Sequence, residues 1–165
     1  MPVKQLCLIR HAKSSWTESS LSDFERPLNM RGEKDAPLMG RRLAALGILP
    51  DLLLSSPAVR AIRSAEIIAS EISYPLNKII LEPRIYEAKE DTLLEILRGI
   101  GDSFPCVMIV GHNPGLSRLS QELLGTQDCE MPTCAALCAE FQIASWRDIG
   151  RNTGKMLFFE FPKNQ

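Results

Sequence analysis

Strand-length apolar runs alternating with helix-period segments predict an α/β protein, a sandwich built around a central, mostly parallel sheet. Two observations carry this. Residues 5–9, 51–55, 78–82 and 106–110 are short and almost continuously apolar, as strands buried on both faces are. The segments between them repeat their apolar residues at helical spacing and carry capping residues at their ends.

In order, "QLCLI" is the first strand and runs into Arg10 and His11. Asn29 caps the first helix, whose inner face is Ala36, Met39, Leu43 and Leu46. Gly47 ends it, and Pro37 within it should kink it. "DLLLS" is the second strand, and residues 58–72 follow as a helix packing Ala58, Ala61, Ala65, Ile68 and Ile72 inward. After the third strand, "KIILE", Thr92 and Glu95 can form a capping box before "ILRGI". "CVMIV" is the fourth strand. Asn113 as cap, Pro114 at the first helical position and Gly125 past the end frame the last helix. "CAALCAEF" and "KMLFFEF" read as two further strands. No repeat, low-complexity tract or linker interrupts the chain, so residues 1–165 are expected to form one domain, near the usual domain size.

Composition excludes several function classes. A formal net charge of -1 gives no whole-protein attraction to nucleic acid or to an anionic membrane. No apolar run approaches the roughly 20 residues of a membrane span. With no signal-peptide pattern before Arg10, a cytoplasmic location is expected. Five cysteines, an odd count, fit reduced thiols, and the spacing of Cys129, Cys134 and Cys138 matches no common zinc pattern. No metal and no cofactor is therefore expected.

In such a sheet, ligands bind beyond the carboxyl ends of the strands. Four successive segments deliver polar groups to that edge: Arg10 and His11, then Arg60 in "SSPAVR", Glu87 in "YE", and His112 in "GHNPG". Singly, each would pass for a surface or structural residue. Together, two histidines and two arginines suit phosphoryl chemistry. Arginine forks match the phosphoryl oxygens, and a neutral imidazole can attack phosphorus to form a phosphohistidine. The helix after Asn113 adds amide donors at its positive end. No cysteine has an arginine six positions on, no Gly-x-x-x-x-Gly-Lys-Ser/Thr loop occurs, and no carboxylates cluster beside the histidines. The alternative phosphate chemistries thus lack their residues.

"LIRHAKSSW" resembles the Arg-His-Gly signature of the histidine phosphatase superfamily, which also holds the cofactor-dependent phosphoglycerate mutases. "DFERPLNMRG", "SSPAVRA", "VGHNPG" and the closing "W...FFEFP" pattern follow in the order of its small SixA-type phosphohistidine phosphatase branch. The resemblance implies a phosphoglycerate mutase-like three-layer α/β/α fold. It also implies a phosphatase in which His11 accepts the phosphoryl group and Arg10, Arg60 and His112 complete the pocket. Ser14 sits where relatives use serine in substrate binding. Arg26 and Arg31 lie in a shared segment, where surface or structural roles serve equally. Ala12 replaces the motif's glycine, as is common in this branch, and Thr17 stands where the mutases have asparagine. Glu87 lies in the region where larger relatives place their acid, which the short branch does not reliably retain. Brief segments between the motifs imply an open pocket suited to protein phosphohistidine. A phosphomonoesterase for a small phosphorylated metabolite, with Glu87 as acid, and a phosphate-binding module without turnover are the alternatives. The expected partner is a phosphorylated protein or small molecule, and the expected state a monomer.

Overall fold

A computed structural model describes residues 2–163. Six strands form one sheet in the order β3-β2-β4-β1-β5-β6: β1 (Lys4–Arg10), β2 (Leu52–Ser55), β3 (Ile80–Leu81), β4 (Cys106–Gly111), β5 (Ala136–Phe141) and β6 (Gly154–Glu160). The first four strands of that order run parallel, and β5 and β6 are added by antiparallel pairing. Because successive strand side chains point to opposite faces, each central strand feeds two cores. Leu6, Leu8, Val107 and Ile109 pack on one face against α3 (Glu90–Arg98) and α4 (Gly115–Leu124). Cys7, Ile9, Met108 and Val110 pack on the other against α1 (Met30–Ala45) and α2 (Val59–Glu71). The predicted three-layer sandwich is therefore the observed one.

Several local expectations need correction. The third strand is only two residues long and half exposed, because it is the sheet edge and follows a 3-10 turn at Leu76–Lys78. Leu46 lies outside the core at 47% exposure, since the helix stops at Ala45. Pro37 lies inside α1, which continues past it to Ala45. Thr92 and Glu95 form no capping box, because α3 already starts at Glu90 with Lys89 as its cap. Asn113 stands one residue before the cap of α4, and from there its Oδ1 accepts from Ser117 N at 3.1 Å and Ser117 Oγ at 2.9 Å. Pro114 takes the cap position itself, and Gly125 closes the helix with a left-handed φ of 68°. The clustered cysteines divide between the two cores, Cys129 on the α3/α4 face and Cys134 and Cys138 on the other. Burial first, and nearby charges second, push the Cys134 and Cys138 thiols up to about 12. Among the described residues no helix is long and apolar enough to cross a membrane.

Candidate active site

Strand register assembles the centre of the site. β1 and β4 pair so that Arg10 faces Gly111, which places His11 and His112 side by side one residue beyond. Their ring centroids lie 5.1 Å apart. β2 pairs with β4 so that Ser55 faces Val110, and Ser56, one residue on, meets His112 Nε2 at 2.7 Å. α2 starts after β2, and Arg60 in its first turn is buried against the same point. Ser64, one helical turn later, donates to the Arg60 carbonyl at 2.7 Å and accepts from Ala12 N at 2.9 Å. That contact ties α2 to the backbone just after His11.

A cavity of about 410 Å³ opens here, with Arg10, His11, Ser14, Arg60 and His112 in its walls. Trp16, Arg26, Asn29 and Asn113 also line it. Five of the six site residues read from the sequence thus converge. Glu87 does not line the cavity; it is exposed, at a left-handed φ of 57°. Arg31 lies outside as well, paired to Asp35 along α1 at 3.0 Å.

Hydrogen bonds fix the chemical form of His11. Its Nδ1 donates to the Ala12 carbonyl at 2.7 Å, so the proton sits there and Nε2 carries the lone pair. Arg60 Nε–H points at that lone pair from 3.4 Å. Burial first, then the Arg60, Arg10 and Arg26 cations, hold the His11 pKa down to about 4. His112 is held down to about 3, again by burial first and then by His11 and Arg60. Its partner Ser56 Oγ already accepts from Ala58 N at 3.2 Å, leaving the hydroxyl proton free for His112 Nε2.

Asp23, unread in the sequence, organises the arginines. Its Oδ2 accepts from Arg60 Nη2 at 3.0 Å and from the Tyr86 hydroxyl at 2.7 Å, and its carbonyl accepts from Arg60 Nη1 at 2.7 Å. Its Oδ1 accepts from Arg26 Nη2 at 3.0 Å. The Tyr86 hydroxyl first, with the Arg60 and Arg26 guanidiniums behind it, holds the Asp23 carboxyl down to about 2. Arg60 is thereby oriented with its Nε edge toward His11. Arg26 is 7% exposed, reaches Ser14 Oγ at 2.6 Å and stacks its guanidinium 3.4 Å from the Trp16 ring centroid. The signal for Asp23 lay in "DFERPLNMRG", but its bond to Arg60 spans 37 residues and leaves no local pattern. Arg10 Nη1 and Asn113 Nδ2 both donate to the Met131 carbonyl, at 3.0 and 2.8 Å.

A family model for the histidine phosphatase superfamily (branch 1) matches residues 6–94, the stretch that supplies Arg10, His11, Asp23, Arg26 and Arg60. The chain belongs to the histidine phosphatase superfamily. It is 31% identical over 153 residues to an uncharacterised chloroplastic protein of Arabidopsis thaliana, covering 88% of this chain and 70% of that one. An uncharacterised protein of Mycobacterium tuberculosis is 26% identical over 164 residues, covering 94% of this chain and all of the other. Among solved structures, a candidate phosphohistidine phosphatase SixA from Agrobacterium tumefaciens superposes with a TM-score of 0.83 at 24% identity, covering 96% of this chain and 98% of that one. The protein histidine phosphatase SixA complexed with tungstate gives 0.81 at 20% identity, covering 96% and 97%. Membership of this superfamily and the shared fold support phosphatase activity.

The two depressed histidines have a consequence for stability. In the folded protein both stay neutral down to about pH 4, whereas unfolded histidine takes up a proton near pH 6.5. Below 6.5 the unfolded chain binds more protons, so stability is full above that value and falls as pH drops toward 4. A depression of the size found at His11 separates its two protonation states by about 3 kcal/mol. Urea unfolding midpoints measured from pH 7.5 to 4.5 should therefore decline, and His11→Asn should flatten the decline.

Proposed function

We propose that this protein is a metal-independent phosphatase that removes phosphoryl groups from protein phosphohistidine through a phospho-His11 intermediate. The observation carrying the reading is the form of His11: a buried, neutral imidazole whose proton is held on Nδ1 and whose Nε2 lone pair opens on a cavity lined, among the described residues, by arginines and histidines and by no carboxylate. Two further buried atoms support it. Among the described residues, Arg10 Nε and His112 Nδ1 have no hydrogen-bond partner, and both belong to residues lining the cavity. Buried polar groups without a protein partner are rare, and at a cationic pocket they are free to donate to an anionic substrate. The similar SixA structure holds tungstate, a tetrahedral oxyanion like phosphate.

In the first step His11 Nε2 attacks phosphorus and the bond from phosphorus to the substrate's ring nitrogen breaks. The substrate ring, protonated on its other nitrogen, takes the bonding pair and leaves as neutral imidazole. Arg10 and Arg60 hold the equatorial oxygens while charge shifts across them. Phospho-His11 keeps its Nδ1 proton on the Ala12 carbonyl, so it too is a protonated phosphoimidazole. Water then attacks phosphorus, Nε2 recovers its pair, and dihydrogen phosphate departs.

Substrate class follows from the want of an acid. Glu87 lies outside the cavity, and Asp23 is held ionised. An alkoxide leaving group needs a proton donor, whereas imidazole leaves neutral without one. The test is rapid-quench labelling with a phosphohistidine-bearing protein and, separately, a simple phosphate ester. Acid-labile phosphate on His11 from the protein donor is expected, and Glu87→Gln should not reduce it. Label from the ester alone, lost in Glu87→Gln, would point instead to a small-metabolite phosphomonoesterase, and no label from either donor would point to a binding module.

A further inference from the structure

We propose that Trp16 is the platform on which the leaving imidazole of phosphohistidine stacks, so that the pocket selects its substrate by the ring as well as by the phosphoryl group. The inference rests on the phosphatase reading above. At about 410 Å³ the cavity far exceeds a phosphoryl group; at roughly 30 Å³ per water it holds more than ten water-sized groups. Arg10, His11, Arg60 and His112 are only four of the residues that line it. Space remains for the group that carries the phosphorus.

Trp16 bounds that space. Apart from the two histidines it is, among the described residues, the one aromatic side chain in the walls, and it stands 75% exposed. A large exposed ring beside a cationic pocket marks recognition better than stability. One face is covered by the Arg26 guanidinium, 3.4 Å from the ring centroid. Arg26 is held in turn by Ser14 Oγ at 2.6 Å and Asp23 Oδ1 at 3.0 Å, so the indole rests on a fixed support. The same Asp23 orients Arg60, which couples the position of the platform to that of the phosphoryl site. A planar ring fits the uncovered face, since aromatic pairs gain from stacked contact beyond their buried area. An imidazole joined to phosphorus brings such a ring and also departs without an acid, which the walls do not supply.

The test compares two small donors with the same phosphorus–nitrogen bond: N-phosphorylimidazole, which carries the ring, and phosphoramidate, which does not. For each enzyme form, kcat/KM is measured on both donors and the ratio taken. Trp16→Ala should lower that ratio between about twofold and tenfold, the range of an aromatic stacking contact, and Trp16→Phe should retain most of it. A ratio unchanged in Trp16→Ala, with both donors slowed alike or neither slowed, would overturn the platform. A Trp16→Phe ratio as low as that of Trp16→Ala would overturn it also. Failure of the parent reading shows separately, as absence of phospho-His11 from both donors in the unaltered protein.

Discussion

Replacing His11 with alanine should abolish turnover, by at least about a thousandfold, while the chain remains folded. Its ring contributes the Nε2 lone pair, and the neighbouring imidazole cannot substitute for it, since His112 Nε2 is bonded to Ser56. The backbone around the position does not depend on the ring. His11 N donates to the Gly111 carbonyl at 3.0 Å and Cys134 N donates to the His11 carbonyl at 3.0 Å, both unaffected by truncation. The side chain also lines an open cavity rather than filling an apolar core, so water can occupy the space left behind. Circular dichroism and urea unfolding check the fold, and single-turnover labelling checks the chemistry. An unfolded His11→Ala protein would mean that the ring is structural, and a folded one that still accepts acid-labile phosphate would move the nucleophile elsewhere.

Arg60→Lys should lower kcat/KM by roughly a hundredfold and Arg60→Ala by about a thousandfold or more, the scale of arginines that stabilise phosphoryl transfer. The guanidinium meets three groups at once: His11 Nε2 at 3.4 Å, the Asp23 carbonyl at 2.7 Å and Asp23 Oδ2 at 3.0 Å. A lysine is a single point charge and cannot hold that fork. The loss should fall mainly on kcat, because the charge being matched develops during transfer. A second readout follows from the electrostatics. Arg60 is among the cations that depress His11, after burial, so removing it lets the His11 pKa rise from about 4 toward 6.5. The acid limb of the pH–rate profile should then move to higher pH in Arg60→Ala. A lysine variant within about twofold of the parent would show that the fork has no part in catalysis.

How much of this was legible in the sequence depends on the range of the interactions. The strands showed because burial on both faces leaves a continuous apolar run, and α2 showed because Ala61, Ala65 and Ile68 repeat at the spacing of one helical face. β3 was misjudged in length because "KIILE" is as apolar as a central strand, while its two paired residues stand half exposed at the edge. Within the site, Arg10, His11 and His112 were visible because they directly follow apolar runs, and a residue just past a strand must lie at the sheet edge. Glu87 does not follow its run directly: four residues separate it from "KIILE", among them the 3-10 turn at Pro83–Ile85, and with its left-handed backbone it lies outside the cavity.

Local patterns of burial, and the alternation of strands with helices along the chain, were thus enough for the α/β sandwich and for the segments that follow its strands; the three-layer arrangement came with the family resemblance. Tertiary structure decided the rest. The register of β1 against β4 set the histidines side by side, and that of β2 against β4 set Ser56 on His112. Asp23 turned Arg60 toward His11 across 37 residues, and Arg26 became a buried wall carrying Trp16 instead of a surface charge. Such contacts depend on how distant segments are brought together in space, and the distances that govern them are set only when the sheet and its two helical layers have packed.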